Sequence, residues 1–222
     1  MLSSFSFSVF VLISRIRKRS GKIASLLALP FVFCNTPVLL VSLLALPFAF
    51  LFAFFAVQGK FLLAFPFGLL AVLMDAIDGA VARKNGSASL FGNYIEAQID
   101  KSVDFILIGC FVFLFPIETV VALGCSFLVS FAKPRVALVI VTDNRDWPGI
   151  GERGDKMAVL LAGVLIAAFF PTLLSFSVIQ LALLIVASIS FIGLVQRIFF
   201  AKKLIKEAER KGGVLPYLKV KK

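Results

Sequence analysis

Apolar runs near positions 38–57, 61–83, 90–115, 117–141, 156–174 and 176–200 dominate this 222-residue chain. Each approaches or exceeds the roughly 20 residues needed to cross a hydrocarbon core, and the connections between them are short. The pattern predicts an all-α polytopic membrane protein with six transmembrane helices and leaves no room for a sizeable soluble domain. Composition agrees: 60 % of the residues are hydrophobic, against about 45–50 % in soluble domains.

Lys and Arg number 23 against 12 Asp and Glu, and most of this basic excess lies between the apolar runs. Such a distribution speaks for lipid headgroups and topology and against nucleic acid as a partner. Arg15, Arg17, Lys18, Arg19 and Lys22 precede the first run, Arg83 and Lys84 follow the second, and Arg145, Arg153 and Lys156 follow the fourth. Lys202, Lys203, Lys206, Arg210, Lys211, Lys219, Lys221 and Lys222 close the chain. The positive-inside rule then places both termini in the cytoplasm of a cell inner membrane or its equivalent. Residues 1–14 are apolar, but the positive charges follow them, the wrong order for a signal peptide. The expected organisation is a basic N-terminal segment, 1–34, with an interfacial amphipathic helix, a six-helix catalytic domain, 35–200, and a basic cytoplasmic tail, 201–222.

The chain has no His, which excludes Ser/His/Asp triads, His-ligated zinc and imidazole proton shuttles. Cys34, Cys110 and Cys125 stand singly in apolar surroundings and read as small hydrophobes. Chemistry must come from carboxylates, Lys, Arg or metals. Asp75, Asp78, Glu96, Asp100 and Asp104 all fall within the second and third apolar runs, although an aspartate at the centre of a membrane helix costs about 2.5–3.5 kcal/mol. Spacings of three and four put each set on one helical face. A turn at Asn85-Gly86-Ser87 would bring Asp78 level with Glu96, and Asp75 level with Asp100. Four carboxylates in two layers about 4.5–6 Å apart repel one another unless they bind cations or protons. Oxygen ligands favour hard ions such as Mg²⁺, Mn²⁺ or Ca²⁺, and the spacing suits a two-metal clamp. Gly79, Ala80 and Ala82 leave room beside this cluster, and Arg83 suits bidentate contact with phosphate.

Taken together, Asp75-x2-Asp78-Gly79-x2-Ala82-Arg83-x8-Gly92-x3-Glu96-x3-Asp100 resembles the signature of the CDP-alcohol phosphatidyltransferase family, D-x2-D-G-x2-A-R-x8-G-x3-D-x3-D. Asn35-Thr36-Pro37 ahead of the first run is similar to the family's approach to its first helix. The resemblance implies transfer of a phosphatidyl-type group from a CDP-linked lipid, CDP-diacylglycerol or CDP-archaeol, to a small polar alcohol, with release of CMP. It further implies Mg²⁺ or Mn²⁺, two per site, bound by Asp75, Asp78, Glu96 and Asp100, with Asp100 either a ligand or the catalytic general base. Asp78, Gly79, Ala82, Arg83 and Gly92 would form the nucleotide site, which faces the cytoplasm. A homodimer follows by analogy alone. Glu96 departs from the pattern by one methylene, which leaves bridging geometry open.

Lys133, Arg135 and Arg153 lie where family members often carry basic residues. They either hold the phosphate of an acceptor such as glycerol phosphate or inositol phosphate, or serve topology and internal ion pairs. Pro134 is expected to kink the helix between them. Two other readings compete with the enzyme: a divalent-cation transporter, since intramembrane carboxylates also mark ion paths, and an inactive homologue carrying Glu96.

Overall fold

The computed structural model describes residues 25–85, 89–141, 147, 149–173 and 175–211. The expected N-terminal interfacial helix lies largely outside them. In chain order the elements are α1 (Leu29–Phe33), α2 (Val38–Leu43), α3 (Ala45–Val57), α4 (Phe61–Asn85), α5 (Leu90–Gly109), a 3₁₀ turn (Cys110–Phe113), α6 (Pro116–Ala137), α7 (Arg153–Phe169), a two-residue hairpin β1 (Thr172–Leu173) and β2 (Phe176–Ser177), and α8 (Val178–Lys211).

Local chemistry sets these boundaries. Asn35 takes a left-handed φ of 49° and Pro37 opens the next helix, where a missing N–H costs nothing. Gly59, at φ 72°, ends α3: its N–H donates to the Ala56 carbonyl and that of Lys60 to the Phe55 carbonyl, the paired bonds of a Schellman turn. Ser89 caps α5, its Oγ accepting from Gly92 N–H at 2.9 Å, so one orphan donor of the first turn is satisfied. Helix α4 ends at Asn85 and α5 begins at Leu90, which brackets the expected turn.

Four stretches are long and apolar enough to cross a membrane: Val38–Val57, Phe61–Lys84, Pro116–Ala137 and Val178–Lys211. Among the described residues α5 and α7 do not join them. Helix α5 carries Glu96, Asp100, Lys101 and Asp104, and α7 has only 17 residues. Large apolar side chains such as Phe50, Phe54, Leu62, Phe131, Phe191 and Phe199 are exposed, as expected of faces solvated by lipid. Helix α8 continues in one piece to Lys211, so the segment read as a tail from 201 begins as helix. Helix α6 runs through Pro134 and ends at Ala137.

Two compact units emerge, one from residues 1–54 and 66–106 and one from 55–65 and 107–222. In the first, Val41, Ala49, Phe52, Ala71, Val81 and Val103 are fully buried. In the second, α8 packs against both α6 and α7. Gln180 Nε2 donates to Glu118 Oε1 at 2.6 Å and Arg197 Nη1 to the Val129 carbonyl at 2.6 Å, in the same order along both chains, so α6 and α8 run parallel. Lys156, counted among the basic residues that follow the fourth apolar run, is 1 % exposed and donates to Ser126 Oγ at 2.6 Å. Small residues allow the close packing: a Cβ at Gly163 would collide with that of Ala182, and one at Gly193 with the Ile150 carbonyl.

Gly163→Leu is therefore expected to destabilise the protein by about 1–3 kcal/mol, read as a lower thermal midpoint in detergent. Gly124→Leu, whose Cβ meets nothing within 4 Å, should leave the midpoint in place.

Candidate active site

The acidic residues sit on the last three turns of α4 and along α5. Asp78 is only 5 % exposed, whereas Asp75 is exposed and Glu96 and Asp100 are half-buried. Asp78 is held from a third helix: Ser42 of α2, itself buried, donates its hydroxyl to Asp78 Oδ2 at 2.6 Å. Val41 and Ser42 form the inward side of α2, so the same short helix supplies a core side chain and the partner of a buried carboxylate. A hydrogen bond to a charged group contributes about 1.5–3 kcal/mol, which offsets part of the cost of removing Asp78 from water.

Asp78 lies within electrostatic reach of Asp75 and Glu96, and Glu96 within reach of Asp75. Among the described residues no three Asp, Glu or Cys side chains form a ready metal-ligand group. The donor set still fits a hard divalent cation in its chemistry, being all oxygen and mutually repelling. Asp104 has a different role. It is 2 % exposed and pairs with Lys101 at 3.2 Å, a local ion pair one turn apart on α5.

Arg83 lies back along α4 over Gly79, where a Cβ would sit 3.3 Å from its Nη1. Gly79 thus leaves space for the guanidinium on the same side of the helix, four residues away. Ala82, Gly92 and Glu96 line a cavity of about 690 Å³ together with Asn35, Thr36 and Ser89. This cavity joins the Asn35-Thr36-Pro37 segment to the α4–α5 motif, and its wall includes the left-handed Asn35. Asp75, Asp78, Gly79, Arg83 and Asp100 are not part of that wall. A Cβ at position 92 would come within 2.8 Å of Ser89 Oγ, the atom that caps α5, so glycine there keeps both the cap and the cavity wall.

The expected acceptor residues belong to the second unit. Lys133 is half-buried and Arg135 exposed on the last turns of α6, and half-buried Arg153 opens α7. Two positions apart on a helix do not share a face, so Lys133 and Arg135 approach different surroundings. Arg135 borders a groove with Arg197. The sequence reading passed over Arg197 and Ser42. Both carried a signal: each is a polar residue within an apolar run, the criterion that singled out the carboxylates.

Ser42→Ala is expected to lower the thermal midpoint by the equivalent of about 1–3 kcal/mol, because it strips a buried carboxylate of its donor. Ser42→Thr, which keeps the hydroxyl, should restore most of it.

Known proteins resemble this chain in sequence and in fold. The chain is 29 % identical over 145 residues to an archaetidylinositol phosphate synthase from Pyrococcus horikoshii, covering 62 % of this chain and 70 % of the relative. It is also 29 % identical over 107 residues to a phosphatidylinositol phosphate synthase from Mycobacterium marinum, covering 44 % of each. The fold resembles that of the Mycobacterium tuberculosis phosphatidylinositol phosphate synthase crystallised with CDP-DAG bound. That match has a TM-score of 0.67 and 22 % identity and covers 81 % of this chain and 94 % of that one. The model of the CDP-alcohol phosphatidyltransferase family matches residues 24–195. A motif that spans Asp75 to Asp100, carried on the paired helices α4 and α5 and matched across most of the chain, makes this protein a member of the CDP-alcohol phosphatidyltransferase family.

Proposed function

We propose that this phosphatidyltransferase takes inositol phosphate as its acceptor, with CDP-diacylglycerol or CDP-archaeol as donor. The reaction class itself follows from family membership: a phosphatidyl-type group passes from a CDP-linked lipid to an alcohol and CMP leaves. That membership removes the cation-transporter reading. The observation that carries the site assignment is the set of mutually repelling carboxylates Asp75, Asp78 and Glu96 beside a cavity walled by Ala82 and Gly92. The acceptor assignment is supported by relatives that are inositol phosphate lipid synthases and by the cations Lys133, Arg135 and Arg153.

Asp75, Asp78, Glu96 and Asp100 would hold divalent cations, Mg²⁺ or Mn²⁺, two per site; a structurally similar mycobacterial synthase was crystallised with manganese and citrate. Bound there, such ions supply positive charge that neutralises the diphosphate as CMP departs. The protein's own groups do the rest. Ser42 holds Asp78 at one oxygen and leaves the other for ligation. Gly79 and Ala82 let the nucleotide approach the α4 backbone, and Arg83 offers a fork to a phosphate oxygen pair. Asp100 accepts the proton of the attacking hydroxyl as general base. Lys133, Arg135 and Arg153 orient the acceptor through its phosphate. The same reading includes α5 and α7 as spans, for six in all, an N-terminal interfacial helix, cytoplasmic termini and active site, and a homodimer.

Purified protein supplied with CDP-diacylglycerol or CDP-archaeol, Mn²⁺ and a panel of polar alcohols with and without phosphate should release CMP, fastest with inositol phosphate. Faster turnover with an unphosphorylated alcohol would overturn the acceptor assignment, and no CMP with any acceptor would identify an inactive homologue. Asp100→Asn is expected to cut CMP release by about 10²-fold or more without loss of membrane insertion. Lys133→Ala should raise the acceptor KM about tenfold while the donor KM holds. The reverse pattern would move Lys133 to the donor site.

A further inference from the structure

Just ahead of α7, the described residues of the connection from α6 lie along α8 in reverse order. The Trp147 ring meets that of Phe200 edge-on, with centroids 5.3 Å apart and planes at 64°. The Ile150 carbonyl lies so close to Gly193 that a Cβ there would collide with it, and a Cβ at Gly151 would sit 2.9 Å from the Ile189 carbonyl oxygen. Gly151 also takes φ 75°, a conformation that strains any residue with a Cβ. From Phe200 to Ile189 these contacts cover about 16 Å of α8 at 1.5 Å per residue. The two glycines let the incoming chain dock backbone to backbone, and the next element begins two residues after the last contact.

The first residue of that element, α7, is Arg153. Little in the start of α7 holds it in place. Glu152 at the N-cap makes no side-chain capping bond, the usual device for fixing a first turn. Gly154 follows Arg153, and glycine is a weak helix former; a Cβ there would meet nothing within 4 Å. One turn further on, Lys156 is tied to Ser126 Oγ of α6 at 2.6 Å. Arg153 therefore stands between two anchors, the docked segment upstream on α8 and Lys156 downstream on α6. The aromatic pair is the outermost contact of the upstream anchor. Trp147 Nε1 is buried with no hydrogen-bond partner among the described residues. An open buried donor costs stability, so ring packing on Phe200, and not an indole hydrogen bond, keeps Trp147 there.

We propose that Trp147, through its contact with Phe200, is a positioning residue for the acceptor: it holds the segment that presents Arg153 to the acceptor phosphate. This role rests on the reading of Arg153 as an acceptor ligand given above. Trp147 itself touches no substrate. Loss of its ring weakens acceptor binding only by letting the start of α7 shift, and the carboxylate hairpin of the other unit is untouched.

The test is a double-mutant cycle on CMP release by the full chain in micelles, with a CDP-linked lipid, Mn²⁺ and inositol phosphate. Arg153→Gln should raise the acceptor KM about tenfold, and Trp147→Ala about fivefold with kcat and the donor KM at their wild-type values. The double variant should be no worse than Arg153→Gln alone, because the ring acts through the guanidinium. Trp147→Phe keeps an aromatic ring and removes the open N–H, so it should restore the wild-type acceptor KM. Phe200→Ala breaks the same contact from α8 and should match Trp147→Ala, which covers the case that the latter does not fold. Effects that multiply in the double variant, a kcat or donor KM that moves with the acceptor KM, or a Trp147→Phe variant as poor as Trp147→Ala would overturn the positioning role. So would a wild-type acceptor KM in Trp147→Ala beside a raised one in Arg153→Gln. An unchanged acceptor KM in Arg153→Gln would instead overturn the acceptor role of Arg153 itself.

Discussion

A carboxylate inside an apolar helix is the constraint on which the rest of this structure turns. Asp78 is nearly inaccessible, and placing such a group in a membrane helix costs about 2.5–3.5 kcal/mol before the repulsion of Asp75 and Glu96 is added. The hairpin of α4 and α5 can carry this charge because α2 brings a hydroxyl to Asp78 from 36 positions earlier in the chain. The breaks around α2 then acquire a purpose. Asn35 and Pro37 turn the chain so that a short helix, rather than a featureless span, delivers Val41 to the core and Ser42 to the carboxylate. What remains unbalanced is the mutual repulsion, and a family chemistry that neutralises a diphosphate with divalent cations is suited to relieve it.

The second unit solves the opposite problem with the opposite charge. Lys156 and Arg197 are buried among α6, α7 and α8, and each is met by neutral acceptors, Ser126 Oγ and the Val129 carbonyl. One unit carries the carboxylates Asp75, Asp78, Glu96 and Asp100, and the other the buried cations Lys156 and Arg197. Glycines at 163 and 193 permit the tight packing that holds Lys156 and Arg197 in place.

Features legible in the amino-acid order are those that depend on near neighbours along the chain. Apolar runs of membrane length, the turn at Asn85-Gly86-Ser87 and acids three and four residues apart are local patterns, and a helix converts them directly into faces. The family signature is local in the same sense, because it is confined to one hairpin, and for that reason the family was legible before any coordinates. Of the six runs read from hydropathy, four are helices long and apolar enough to cross a membrane, while α5 carries more charge and α7 is shorter.

Only the tertiary structure decided which polar groups meet. Ser42 with Asp78, Lys156 with Ser126 and Arg197 with Val129 are separated by 36, 30 and 68 positions, and no periodicity within one helix encodes a partner on another. Such pairings are set by how helices approach, which depends on glycine contacts and side-chain volumes distributed along the whole chain.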